Sequence, residues 1–336
     1  MARPLFAANT VISERLINRC LTTYLANLVN PRSGSFSIPV PQVINGIPQS
    51  VLFDGEFSVI SINATLRPNA QGIIHFSMRF YADATVTASR TTGPVSLPIA
   101  TFSPEIVLST AIDVPLVAQV VGDQFQLGIN LALASITSFS VDLLTPSLPP
   151  AYQAAVNTAL ADPSVPAALT AALHGLVAGG FLPATNALIP AFYDMTMDKP
   201  LVPGQQWFSV RLPVTQLVFQ VGFKKLAAGV NVAPFTSASL ADLDDHLAPD
   251  FDDRRNTVDV ETVANLQFLE DFLNTRVFPA MRNQFVAQQL RLNEISSFTF
   301  KTIGTRRGFQ QGVEIVVDLT YWTDSLSNST SSATLW

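Results

Sequence analysis

The sequence predicts an α+β fold: an elongated molecule in which a long, highly curved antiparallel β-sheet wraps around amphipathic helices. Three observations lead there. Apolar and polar residues alternate with a period of two over unusually long stretches, helix-periodic segments flank those stretches instead of interrupting them, and charge is scarce. Of the 336 residues 48% are hydrophobic and only 13% charged, where an average soluble domain carries about 25%, so there is material for a large core.

The longest alternation is GDQFQLGINLALASITSFSVDLL, Gly122 to Leu144. Its odd positions run Phe125, Leu127, Ile129, Leu131 and Leu133, then resume as Phe139, Val141 and Leu143, while Gln124, Gln126, Asn130, Ser138, Ser140 and Asp142 occupy even ones. That is the pattern of a strand with one buried face. Kept in phase throughout, it extends roughly 60 Å at about 3.3 Å per residue, with the odd row facing inward. A second long alternation puts Phe76, Met78, Phe80, Ala82, Ala84, Val86 and Ala88 opposite in parity to His75, Ser77, Arg79, Tyr81 and Asp83. A third runs from Ile106 to Leu116, and shorter candidates lie at Phe57 to Leu66, Trp207 to Val221, Phe298 to Ile303 and Val313 to Tyr321. Turn residues such as Arg67-Pro-Asn and Val121-Gly-Asp separate them, as in an antiparallel meander.

Helical spacing marks Val11 to Val29, where Ile12, Leu16, Ile17, Cys20, Tyr24, Leu25 and Leu28 recur at three and four, with Asn9 or Thr10 as cap. After Pro149-Pro150 come Ala151 to Leu160 and then the alanine-rich Val165 to Val177, stopped by Gly179-Gly180. Val263, Leu266, Leu269, Phe272, Leu273, Val277, Met281 and Phe285 form a further helix, kinked near Pro279. Strands grouped apart from helices are the mark of α+β rather than a doubly wound sheet. The chain divides into a long-strand and helix module over 1–198, a second helix-and-strand part over 199–323 that packs on or completes the first, and a flexible polar tail over 324–336.

A twisted sheet of such strands forms a trough. A helix of about 20 residues covers roughly 30 Å of it, so either several helices fill the trough or part of it stays open to an apolar guest. The leading helix Ile12 to Val29, the meander from Phe57 to Leu144 and the alanine-rich Ala151 to Val177 give an order of parts that resembles the tubular lipid-binding superfamily. That group includes bactericidal/permeability-increasing proteins, lipid-transfer proteins and accessory proteins of Clostridial toxin clusters. The resemblance implies a curved sheet around a long helix, enclosing acyl chains or sterols, and no catalytic residues. It covers about the first half of the chain. The sequence lacks the secretory signal and paired cysteines of the animal members.

Chemistry is sparse. His75, His174 and His246 are far apart and fit no zinc spacing; His75 reads as a surface residue and His174 as a helix-end group. There is no nucleophile elbow and no phosphate-binding glycine loop. Asp242, Asp244, Asp245, Asp250, Asp252 and Asp253 could offer oxygens to Ca²⁺, but the stretch lacks the glycine and final glutamate of an EF-hand and reads as a solvated loop. No catalytic residue, metal or cofactor is expected. Cys20, the only cysteine, reads as a small core residue. With 19 basic against 25 acidic residues and no basic stripe, nucleic acid is not an expected partner. No run reaches the roughly 18 unbroken apolar residues of a membrane span. The start has no signal-like apolar core, which places the protein in the cytoplasm, with signal-independent export the other route.

Twenty-three phenylalanines against five tyrosines and three tryptophans suit a dry interior better than a sugar or base platform. The expected function is non-enzymatic binding or transfer of a lipid or other apolar molecule, with Phe76, Met78, Phe80, Leu127, Ile129 and Leu131 as walls. The alternative is a structural or protein-interaction component whose same surfaces close a core. A hydrolase of apolar esters ranks third.

Overall fold

The computed structural model describes residues 6–28, 32–69, 71–92, 95–198, 206–243, 258–277, 279, 291–302, 305–306, 309–310, 313–322 and 328–335. In chain order the elements are β1 (Ala8–Ser13), α1 (Glu14–Ala26), β2 (Arg32–Ile44), β3 (Ile47–Thr65), β4 (Ile73–Thr92), β5 (Val95–Phe102), β6 (Glu105–Val121), β7 (Gln124–Ile129), β8 (Ser135–Thr145), α2 (Pro150–Leu160), α3 (Ser164–Leu176) and α4 (Leu182–Asn186). They continue as β9 (Phe192–Asp198), β10 (Gln206–Pro213), β11 (Gln216–Gly222), β12 (Lys225–Asn231), β13 (Val260–Ala264), α5 (Leu266–Phe272), β14 (Arg291–Thr302), β15 (Thr305–Arg306), β16 (Phe309–Gln310), β17 (Val313–Trp322) and β18 (Asn328–Leu335). The protein is α+β and built on antiparallel sheets, as its alternations predict. It divides into two compact units whose boundaries interleave: Met1–Ala191 with Thr215–Asn231 and Ser237–Ala264, and Phe192–Val214 with Val232–Thr236 and Asn265–Trp336.

The first unit holds the long sheet, in the order β2-β3-β4-β6-β7, with β5 paired to β4 and β8 to β6. Its central strand β4 follows the period of two without a break. Ile74, Phe76, Met78, Phe80, Ala82, Ala84, Val86 and Ala88 are all buried, because an antiparallel strand with one covered face must keep a single parity inward. The neighbouring rows agree: Val51, Phe53 and Phe57 on β3, and Ile106, Leu108, Thr110, Ile112, Val114 and Leu116 on β6. The opposite parity forms a polar outer face. His75 Nδ1 lies 2.6 Å from Asp113 Oδ1 across the strands. Ser109 donates to Asp142, the foremost of the contacts that hold that carboxyl below the usual range, with Ser140 and Arg79 adding to it. The first hairpin turns at Asn45-Gly46, both at positive φ (52° and 75°), the geometry of a type I′ turn. The turn implies a strand before it, and β2 runs unbroken through Pro39 and Pro41 with Phe36, Ile38, Val40 and Ile44 buried on one face.

The predicted strand from Gly122 to Leu144 is corrected. It breaks at Asn130 into β7, a 3₁₀ turn at Leu131–Leu133, and β8. Both strands pair with β6, Leu127 opposite Ala118 and Phe139 opposite Thr110. Five residues, 130–134, span the gap facing Val114 and Pro115 on β6, and β8 slips register twice more, at Thr137 and at Asp142. The residues opposite the inward positions of β6 are therefore Ile129, Ile136, Phe139, Val141 and Leu144, a row that changes parity. Leu131 lies in the turn and Leu133 is 65% exposed. The sequence alternation stays in phase by coincidence, since each inserted residue flips the face.

A second, four-stranded sheet of this unit runs β11-β12-β1-β13. Here the expected leading helix is shortened. Ala8–Ser13 is a strand between β12 and β13, with Val11 opposite Ala227 and Glu261, because the β-branched run Thr10-Val11-Ile12 is buried on both faces. Ser13, not Asn9 or Thr10, caps α1: its hydroxyl accepts from the Leu16 N–H at 3.1 Å. Likewise Val263 belongs to β13, and the helix after it begins at Leu266 with Asn265 as cap (Gln267 N–H to Oδ1, 3.0 Å). The kink expected near Pro279 falls where the flanking residues lie outside those described, as do the carboxylates from Asp244 to Asp253. Asp242 caps a short turn with Ser239.

The second unit contains the β9–β10 hairpin, with the Arg211 guanidinium 4.0 Å above the Phe192 ring. Pro213 ends β10, so the predicted Trp207 to Val221 strand is two strands in different units. Phe235 meets Phe268 and Phe272 edge-on at 5.8 and 6.2 Å. Strands β14, β17 and β18 form a three-stranded sheet, and β15 pairs with β16. The polar segment expected as a flexible tail supplies β18, with Asn328 opposite Trp322 and Leu335 opposite Ile315; polar side chains do not hinder backbone pairing on a sheet edge.

Asp259 ties β13 to the start of α1. It accepts from Ser13 Oγ at 2.8 Å and Arg15 Nε at 2.7 Å, with Arg19 at 3.5 Å. Burial alone would raise its carboxyl, but these hydrogen bonds and the two guanidinium charges outweigh it and hold the group below its usual range. A depressed folded value stabilises the protein above the unfolded value of about 3.9, and the effect is lost as pH falls through the folded value. Arg15 is half-exposed, so solvent screens the pair. Asp259→Asn should cost about 1 kcal/mol at pH 7 and progressively less toward the acid end, measured by urea denaturation across pH 3–7. An equal cost throughout would show that charge is not what the carboxylate contributes.

Candidate functional site

The inner face of the long sheet is the candidate site, and the helices of the first unit decide how much of it is open. At about 3.3 Å per residue, the 20-residue β4 is roughly 66 Å long. The main covering helix is longer than expected: the chain does not stop at Gly179-Gly180 but passes through a π turn, Val177–Phe181, into α4. Gly179 and Gly180 are there for a neighbour. A Cβ at Gly179 would overlap the Tyr24 phenol of α1, and one at Gly180 would sit 3.0 Å from Tyr24 Cβ. The resulting helical run Ser164–Asn186 has 23 residues, about 35 Å. It is long and apolar enough by length and composition to cross a membrane, although no unbroken apolar run predicts it. Here Leu169, Leu173, Leu176, Val177 and Phe181 are buried within the unit.

The predicted walls fall into two groups. Phe76, Met78 and Phe80 do share one face, but at 0–1% exposure they are sealed by the protein itself. Phe181 stands edge-on to Phe76 at 6.2 Å, and Phe57 to Phe80 at 6.2 Å, with Phe36 tilted against Phe57 at 4.6 Å beyond. Leu127 and Ile129 lie past the end of β4, opposite Ala118 and Leu116. Leu127 is buried, while Ile129 and Leu131 are half-buried. Between α1 and α4 a small apolar cavity of about 10 Å³ is lined by Ile17, Cys20, Phe181 and Thr185 among others, about the space of one water. Cys20, expected in the core, is half-buried in the wall of this cavity.

Past this covered region the inner face opens. Ile129, Ile136 and Phe139, opposite inward positions of β6, are half-buried and Val141 is 39% exposed, while Leu131, in the turn between β7 and β8, is half-buried. Sequence reading missed Ile136, because the register slip at Thr137 that turns it inward has no residue signature. A concavity of about 540 Å³ on the outer face of β2–β4 is polar by contrast, with Ser35, Ser37, Asp54, Glu56, Asp83 and Thr85 in its wall. Among the described residues no group of three or more His, Cys, Asp or Glu could hold a metal. His174 is exposed in the last turn of α3.

No family model matches the chain, and no curated relative matches it. Among solved structures it is similar to the crystal structure of lipopolysaccharide binding protein, over 97% of this chain and 76% of that chain, with a TM-score of 0.46 and 11% identity.

The Tyr24–Gly179 approach sets how closely α1 and the long helix seat on the sheet. A methyl group at Gly179 gains about 1 kcal/mol of helix propensity but meets the ring, and overpacking typically costs about 1–3 kcal/mol. Gly179→Ala should therefore destabilise the protein, and adding Tyr24→Ala should recover part of the loss in a double-mutant cycle. Additive effects would mean the two residues do not meet.

Proposed function

We propose that the protein binds a lipid or other apolar molecule without catalysis, along the open strip of the inner face. Ile129, Leu131, Ile136, Phe139 and Val141 touch the ligand, and Phe76, Met78, Phe80 and Leu127 form the sealed floor continuous with that strip. The observation that supports this reading is the half-exposed apolar row on β7 and β8, continuous in register with the fully buried row on β6. Leaving such side chains in water forgoes a large part of the roughly 1.5–3 kcal/mol that burial of each contributes, which favours an apolar cover. Transfer between membranes or partners would be a use of the same strip.

A second reading has its own support. Phe76, Met78 and Phe80 are fully covered by protein, the kind of closed packing that a structural or interaction component requires. Titration of the delipidated protein with a fluorescent fatty acid or sterol analogue separates the two. Saturable binding is expected, weakened at least fivefold by Ile129→Trp, which fills the strip, with the melting temperature kept. Absence of saturable binding would leave the interaction component as the function.

A further inference from the structure

We infer that β8 is a self-association edge, along which a second copy of this chain adds antiparallel so that two long sheets become one. The argument concerns the rim of the sheet and does not depend on a ligand. A free strand edge presents unpaired N–H and C=O groups that template pairing with another chain unless something blocks them. Along this sheet the other free edges are blocked. β2 carries Pro39 and Pro41, and β5 carries Pro98, residues that cannot donate to an added strand. Beyond the end of β2, the margin of β3 is capped from α1: the Asn18 amide bonds Ala64 N–H at 2.6 Å and Ala64 C=O at 3.0 Å, and Glu14 accepts from Leu66 N–H at 2.6 Å. The margin of β7 is capped from α4, where the Asn186 amide takes both Leu127 N–H (2.9 Å) and C=O (3.1 Å). Two asparagines on two helices thus imitate a neighbouring strand.

β8 has neither a proline nor a helix amide on its free margin among the described residues, and its only interruptions are the two register slips at Thr137 and Asp142. Its 11 residues, SITSFSVDLLT, contain no proline, lysine or arginine, and it pairs only with β6 among the described strands. Thr137, Ser138, Ser140 and Val141 are exposed.

The occupant is a second copy because β8 is complementary to itself. Register slips at Thr137 and Asp142 place Ile136, Phe139, Val141 and Leu144 opposite the inward residues Ile112, Thr110, Leu108 and Ile106. That set is symmetric about Ser140. An antiparallel partner related by a two-fold axis at Ser140 sets Phe139 against the second copy's Val141 and Ile136 in register with its Leu144, so the four positions opposite the inward residues of β6 pair among themselves, while Leu143 meets Thr137. On the outer face Asp142 meets Ser138 of the second copy, and no like charges oppose each other. A two-fold interface requires this kind of self-complementarity, and a one-residue shift of the axis would lose it.

The register makes the test specific. Ser140 faces Ser140 of the second copy, with Cβ atoms about 4.5–5.5 Å apart, whereas the two copies of Ser138 stand four residues apart, about 13 Å. In a Cys20→Ser background, mild oxidation should cross-link Ser140→Cys at least tenfold faster than Ser138→Cys. Light scattering of the unmodified chain at tens of micromolar should give twice 36.3 kDa, and Val141→Lys, a change at an exposed position, should return the monomer with an unchanged circular dichroism melt. A monomeric wild type, equal cross-linking at the two serines, or a dimer indifferent to Val141→Lys would each overturn the proposal. The cysteine variants keep it testable should the lysine variant fail to fold.

Discussion

The mismatch in rise between a strand and a helix governs this protein. A residue advances about 3.3 Å in a strand and 1.5 Å in a helix, so a sheet with 20-residue strands outruns a helix of equal length by more than twofold. The chain responds with several helices, end to end and side by side, instead of one. The π turn that carries α3 into α4 and the glycines under Tyr24 are the devices that lengthen and seat this cover. Where the cover stops, at β7 and β8, side chains of the same apolar row reach solvent.

A long sheet also has long margins, and the same helices manage them. Asn18 and Asn186 each spend a whole amide on one residue of strand backbone, so the helices stop the sheet from growing as well as burying its face. The capping falls to polar residues at the rim of the helices and the burial to their apolar face, Ile17 and Leu21 on α1. That explains why α1 is amphipathic in a protein so poor in charge.

Much of this was legible in the sequence, and the limit is physical. The β4 row from Ile74 to Ala88 was readable because a strand held between two neighbours with one covered face must keep its parity. The β7–β8 stretch misled because register slips insert residues without a marker in residue type: a slip and a continuous alternation look alike when apolar residues happen to land on both. The start of α1 was misplaced for a related reason, since Val11 and Ile12 fit a helix stripe and a doubly buried strand equally well. The Asn45-Gly46 turn is the opposite case, a strong local hairpin signal that the reading of alternations did not use. Of the candidate site, the sealed floor was predictable from parity, while the open strip depends on where helices end in space.

The order of elements along the chain has a consequence for synthesis. The strands of the long sheet, residues 32–145, precede α2, α3 and α4. At about 5–20 residues per second, a ribosome needs roughly 2–8 s to add the 41 residues that separate Thr145 from Asn186. During that interval only α1 is at hand to shield the inner face, and the sheet waits as an uncovered apolar surface. The nascent protein is then a client for whatever binds extended apolar chains at the exit tunnel, and its aggregation hazard is greatest before folding is complete.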